Sequence, residues 1–217
     1  MKGEILERVT DCKYLGVTIN EHMNWRPHID NIVGQAHSKL AFLERNLSTC
    51  PQDLKDRAYK TLVRPAVEYA SAIWDPTSKP DISRLDTVQR HAARFVCSKP
   101  RKRHTDHLPN LTYDYVSVTN LVSECKWPDL SDRRRDSRCL LMHKMLTKQA
   151  AASEHLIPSP VEGRTRAGTQ KNLPHVLSNT PLHRDSFVPR TSRDWNKLPV
   201  SARLATNVVE YKAALKT

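Results

Sequence analysis

Apolar residues recur along this chain at two different periods. From Pro27 onward, Ile29, Ile32, Val33, Ala36, Leu40, Leu43 and Leu47 follow one another at spacings of three and four, the stripe of a single helix face. Proline is comfortable at a first helical position, where its missing N–H is one the helix leaves unpaired anyway, so a helix is expected from Pro27. Upstream, Leu15, Val17 and Ile19 alternate within Tyr14–Ile19, which predicts a short strand, and Asn20-Glu21-His22 reads as a turn. Downstream, Thr49-Cys50-Pro51 opens a second helix, with Thr49 as a cap. Its stripe is expected to be Leu54, Ala58, Leu62, Pro65, Tyr69 and Ile73, widening after Leu62 to take in Val63, Val67, Ala70 and Trp74. A helix apolar on more than one side is buried between neighbours. Pro65 has no N–H and its ring meets the carbonyl of Thr61, so a bend is expected there. Asp75-Pro76 should end the helix.

A third helix is predicted from Asp81, with Ile82, Leu85, Val88, Ala92, Phe95 and Val96 inward and Arg84, Arg90 and Arg94 outward. Three helices joined by short turns imply a small antiparallel bundle. The pattern then divides the chain into a strand or hairpin piece (1–25), the bundle (26–98), a basic linker (99–116), a helical segment (117–155) and a loop-rich region (156–217). The helical segment holds a short helix, a turn at Trp127-Pro128 and a longer helix. Residues 156–193 show no helical period and are expected to be extended loops with at most short strands. Phe187–Pro199 reads as a compact turn-helix anchored by Trp195, and Asn207–Thr217 as a short amphipathic helix. The fold class is therefore mainly α: a short N-terminal β-hairpin, a small helical bundle, and a basic C-terminal region of loops and short helices.

Composition sharpens this. Fourteen prolines against five glycines, with 38% apolar residues, fit helices joined by proline-punctuated connectors. No apolar run approaches the roughly 20 residues of a membrane span, and the N-terminus carries no secretory pattern, so no membrane partner is expected. Five scattered cysteines without a C-x-x-C pair suit a reducing, intracellular setting, nuclear or cytoplasmic. Cys97 with His104 and His107 is the nearest approach to a metal site, and it falls short of four well-spaced ligands; no metal or other cofactor is expected. The net charge of +12 is unevenly spread: residues 1–98 carry 14 Lys and Arg against 12 Asp and Glu, and residues 99–217 carry 21 against 11. A basic half points to a polyanionic partner, most often nucleic acid.

Catalysis has little to stand on. Two-metal polymerases and nucleases need converging carboxylates, and this chain has no Asp-Asp pair; Asp53, Asp81 and Asp132 sit at helix starts, where dipole complementarity accounts for them. A phosphate-cradling glycine loop, a G-x-S-x-G elbow and an H-E-x-x-H pair are all absent from the sequence. Two basic clusters are the candidate phosphate contacts: Lys99, Arg101, Lys102 and Arg103, and Arg133, Arg134, Arg135 and Arg138. On a helix Arg134 and Arg138 are neighbours; the plain alternative is a solvated face paired with Asp132 and Asp136. Trp25, Trp74, Trp127 and Trp195 are expected to pack in cores rather than stack on bases.

Five ordered motifs add a family likeness: "KYLGVTI", a W-x-x-H-I helix start, "CPQDLKDRAYKTLVRPAVEYASAIWDP", "LDTVQRHAARFV" and "SFVPRTSRDWNKLP". Together they resemble the C-terminal part of the reverse transcriptase protein of non-LTR (LINE-type) retrotransposons, from Lys13 to the last helix. The resemblance implies that Tyr14, Leu15 and Gly16 match a hairpin near the primer end and that residues 27–97 match the thumb, which packs on the template–primer duplex. It places the family's catalytic aspartates before Tyr14, where this chain has no such pair. The expectation is a non-catalytic fragment or remnant of an RNA-directed DNA polymerase that binds RNA or an RNA–DNA hybrid. Two alternatives stay open: a helical interaction module, domesticated or docking on a polymerase palm in another chain, and a subunit of an active enzyme if an upstream region exists.

Overall fold

A computed structural model describes residues 8–98, 118–152, 157–161 and 170–215. It is mainly helical, with a two-stranded antiparallel hairpin at the N-terminal end. The chain forms two compact units: residues 1–70 with 76–130, and residues 71–75 with 131–217. The hairpin and bundle, separate pieces in the sequence division, share the first unit.

In the first unit β1 (Asp11–Tyr14) pairs with β2 (Val17–Asn20), with Tyr14 opposite Val17 and Asp11 opposite Asn20. The alternating run Tyr14–Ile19 is thus a hairpin with its turn inside it, not one strand. Leu15 (φ 45°) and Gly16 (φ 82°) form the two-residue turn, the left-handed pair that matches the twist of the strands. The hairpin is tied to the bundle at His28, whose Nδ1 accepts the Thr18 N–H at 3.2 Å.

Helix α1 (Arg26–Asn46) buries Ile29, Ile32, Ala36, Leu40 and Leu43, as its period predicts, and adds His28. The next helix is broken into α2 (Gln52–Ala58), a π-helical turn (Tyr59–Val63) and α3 (Arg64–Glu68). The Arg64 N–H reaches back five residues to the Tyr59 carbonyl. The wider π turn is how the chain accommodates Pro65, whose ring and missing N–H would disrupt a regular ladder. The buried stripe is Lys55, Tyr59, Val63 and Val67: Val63 and Val67 belong to the expected widening after Leu62, whereas Lys55 and Tyr59 lie one position round from the expected Leu54 and Ala58. Leu54, Leu62 and Tyr69 are exposed instead. Lys55 lies inside because its Nζ donates to Ser98 Oγ at 2.7 Å and sits 5.6 Å over the Phe95 ring.

The helix stops before the sequence pattern does. Tyr69 takes an extended ψ of 128° and Ala70 a φ of 53°. Then α4 (Ser71–Trp74) begins afresh as part of the second unit.

Helix α5 (Lys79–Val96) buries Leu85, Val88, Ala92, Phe95 and Val96 as expected, with Gln89 and Ala93 beside them. Pairs Asp30–Arg84 and His37–His91 run along α1 and α5 at a constant offset, so these two helices are parallel. The middle helix runs opposite to both: Tyr69 meets the hairpin, and Lys55 meets the end of α5. This is an up-down-up bundle, the antiparallel arrangement of neighbours that short turns imply. Helix α6 (Val118–Glu124) packs on α5. Trp127 closes the unit by stacking on Tyr59, with centroids 4.3 Å apart, and donating to Asp56 Oδ1 at 2.8 Å.

The second unit centres on α7 (Leu130–Leu146). Later come α8 (Pro181–Arg184), α9 (Phe187–Trp195), α10 (Val200–Leu204) and α11 (Val208–Ala214). Cys139, Met142, Leu173, Trp195, Ala202 and Tyr211 form its core. The region read as loops therefore holds the short α8, while α9 is the turn-helix expected within Phe187–Pro199. Trp195 does anchor the turn-helix, donating its Nε1–H to the Lys171 carbonyl at 3.1 Å.

Two outcomes check this packing. Val63→Ala should cost about 2 kcal/mol from lost burial and a residual cavity, whereas Leu62→Ala, at 48% exposed, should stay within about 0.5 kcal/mol; urea denaturation separates them. Burial holds His28 below its ordinary pKa, so the unfolded chain takes up a proton that the folded chain refuses. Its contribution is intact above about pH 6.5 and is lost as the pH falls from there toward the folded value. His28→Gln should flatten that part of the melting-temperature profile; identical wild-type and variant profiles would contradict it.

Candidate nucleic-acid interface

The four arginines of α7 do not share a surface. Arg134 is 1% and Arg138 3% exposed, on the same face as Cys139 and Met142. Both point at Asp75, which comes directly after α4. Arg134 Nε donates to Asp75 Oδ1 at 2.6 Å, and Arg138 Nη1 bonds Asp75 Oδ2. Arg190 of α9 completes the set: its Nη2 lies 2.9 Å from Asp75 Oδ2 and its Nη1 donates to the Asp75 carbonyl at 2.7 Å. Arg138 also donates from Nη2 to Asp194 Oδ2 at 2.6 Å. One buried carboxylate thus gathers three guanidinium groups, with a second carboxylate on the far side of Arg138.

This arrangement corrects the expected site. Arg134 and Arg138 are internal ion-pair partners, without the exposure that a phosphate contact needs. Arg135 remains at the surface and is paired with Asp132 at 3.0 Å and with Asp136 at 3.2 Å, the solvated-face arrangement; Arg133 is half-buried. Lys99, Arg101, Lys102 and Arg103 lie outside the described residues, as do His104 and His107. Among the described residues no three metal-ligating side chains gather at one point, and no helix is long and apolar enough to cross a membrane.

Sequence reasoning missed Asp75, which it took as a helix stop, and Arg190. The only local signal was that Arg134 and Arg138 continue, at steps of four, into Met142. Their partner lies 59 and 63 positions away along the chain.

The hairpin residues Tyr14, Leu15 and Gly16 do come together at one exposed tip. Tyr14 is 65% and Leu15 73% exposed. The Tyr69 hydroxyl donates to the Leu15 carbonyl at 3.1 Å, and Tyr69, itself 59% exposed, adds its ring to the patch. Gly16 is favoured by its backbone conformation. Its φ of 82° strains any side chain, whereas a Cβ there would make only ordinary contact with Tyr69 Cε1, at 3.4 Å. Trp74, Trp127 and Trp195 are buried and Trp25 is half-buried, so none of the three buried rings is available for base stacking.

Over 103 residues, 46% of its length, the chain is 26% identical to a Drosophila melanogaster protein described as a probable RNA-directed DNA polymerase from transposon BS. That stretch is 11% of the fly protein, so the chain spans only a small part of its relative's length. No family model matches the chain, and no solved structure matches it. The similarity supports a reverse-transcriptase-related origin at low identity.

The buried hub makes a sharp prediction. Asp75→Asn keeps the shape but leaves three guanidinium groups without their carboxylate, and should cost about 3–5 kcal/mol. Asp194→Asn should cost clearly less, since of the three it faces only Arg138. Equal urea midpoints for the two variants would overturn the assignment of Asp75 as the hub.

Proposed function

We propose that this chain corresponds to the thumb and downstream part of a LINE-type reverse transcriptase, and that it binds RNA or an RNA–DNA duplex without catalysing polymerisation by itself. The observation that carries the reading is the coincidence of an up-down-up bundle and preceding hairpin with the five ordered motifs. The polymerase similarity over 103 residues supports it. The net charge of +10 in residues 99–217 supplies the attraction for phosphate, which is independent of sequence and weakened by salt.

Within that reading the contacts fall to Lys99, Arg101, Lys102 and Arg103, with Arg133 and Arg135 secondary. Arg134 and Arg138 drop out because their charge is already committed to Asp75. The exposed tip of Tyr14 and Leu15 with Tyr69 favours a second reading, in which this face docks on a polymerase palm. The nucleus or the cytoplasm is the setting in either case.

The test is equilibrium binding of a labelled RNA–DNA hybrid across a salt series. Wild type should bind at low ionic strength with a linear fall of log K against log salt. Changing Lys99, Arg101, Lys102 and Arg103 together to Ala should reduce the slope by roughly 0.7–0.9 for each phosphate that is no longer neutralised. Absence of salt-dependent binding at low ionic strength would sink the nucleic-acid reading.

A further inference from the structure

The parallel packing of α1 and α5 brings His37 and His91 together in the first unit, with their rings tilted 44° to one another. Their Nδ1 atoms are 3.4 Å apart and their ring centroids 5.5 Å apart. An ion held tetrahedrally at the usual metal–imidazole distance of about 2.0–2.1 Å separates its two nitrogen ligands by roughly 3.3–3.4 Å. The two nitrogens therefore already stand at the spacing that a shared transition-metal ion would impose. The second ring nitrogen of His91 is also placed: Nε2 lies 3.0 Å from Glu44 Oε1. A carboxylate there accepts a hydrogen bond from Nε2–H and so leaves Nδ1 as the ring's lone-pair nitrogen on the side of His37, the arrangement that commonly supports a metal-bound histidine. His37, His91 and Glu44 are all half-buried, so an ion and its waters have access from solvent.

We propose that His37 Nδ1 and His91 Nδ1 form a two-histidine site for a divalent transition-metal ion of the zinc class, with Glu44 as the outer partner of His91. Water fills the remaining positions, because no third protein ligand converges there among the described residues. Binding replaces a proton shared between the rings with a metal bridge and clamps α1 to α5. Since only the folded bundle presents both nitrogens at this spacing, the ion stabilises the folded state by mass action. The site was not legible in the sequence: His37 and His91 are 54 positions apart, and neither belongs to a ligand motif.

The test is titration of the metal-free chain with zinc chloride by calorimetry, and with cobalt(II) by absorption, in a Cys97→Ser, Cys125→Ser background. That background removes the other candidate donor pair, whose sulfurs lie 3.5 Å apart. The expected result is one ion per chain, a rise in melting temperature with zinc, and a cobalt spectrum of imidazole type. His37→Gln and His91→Gln should each abolish stoichiometric binding, and Glu44→Gln should weaken it by roughly 10–100-fold. Unchanged stoichiometry and affinity in His37→Gln, or no binding in the parent background, would overturn the proposal. Both readouts are independent of any nucleic-acid binding.

Discussion

The second unit depends on one carboxylate. Asp75 is 8% exposed and accepts from Arg134, Arg138 and Arg190 through its side chain, and from Arg190 again through its carbonyl. A buried guanidinium is costly to desolvate, and three together repel one another, so their coexistence requires the opposing charge. Several of their donors still have no hydrogen-bond partner, among them Arg134 Nη1 and Nη2 and Arg138 Nε. The cluster is therefore a constraint more than a reserve of stability: it is tolerable only in the one arrangement that brings α4, α7 and α9 together. Replacing such a cluster with well-packed apolar residues could leave stability unharmed, whereas removing one member leaves uncompensated charge.

The same constraint explains why the fold was only partly legible. The stripes of α1 and α5 were readable because a regular helix repeats its burial every three or four residues and their apolar positions have no rival. The middle helix offered two rival stripes one position apart. Leu54 and Leu62 made the exposed one look internal, while Lys55 made the buried one look external. Only tertiary partners, Ser98 and the Phe95 ring, reveal why a lysine sits inside. The π turn then removed the regular period that distinguishes one stripe from the other. In α7 the difficulty was electrostatic: an arginine pair at i, i+4 reads as surface unless its counter-charge is known, and Asp75 lies too far along the chain for any local pattern to show it.

For the candidate site the consequence is a redistribution of charge. Formal net charge counts each arginine alike, but an arginine bound to a buried carboxylate presents little field to a phosphate outside. The basic excess of residues 99–217 thus overstates what α7 can offer a polyanion, since two of its four clustered arginines are internal and Arg135 is paired at the surface. Within the proposed nucleic-acid reading, the phosphate contacts then rest on Lys99–Arg103. At the hairpin, the two positive φ angles of Leu15 and Gly16 make the turn that the alternating apolar pattern alone did not show.

Residues 59–76 now read as a sequence of controlled interruptions. The π turn at Tyr59–Val63 absorbs Pro65 without ending the helix. The stop at Tyr69–Ala70 then ends it where an apolar pattern alone would have continued through Trp74. An uninterrupted helix would hold Trp74 and Asp75 in the register of the bundle. Breaking it at a left-handed Ala70 frees Ser71–Asp75 to be built into the second unit, with Trp74 fully buried and Asp75 at the centre of the arginine cluster. Alanine has no intrinsic liking for positive φ, so the conformation at Ala70 must be maintained by the structure on either side of it, Tyr69 being held by its hydrogen bond to the Leu15 carbonyl and Trp74 by burial.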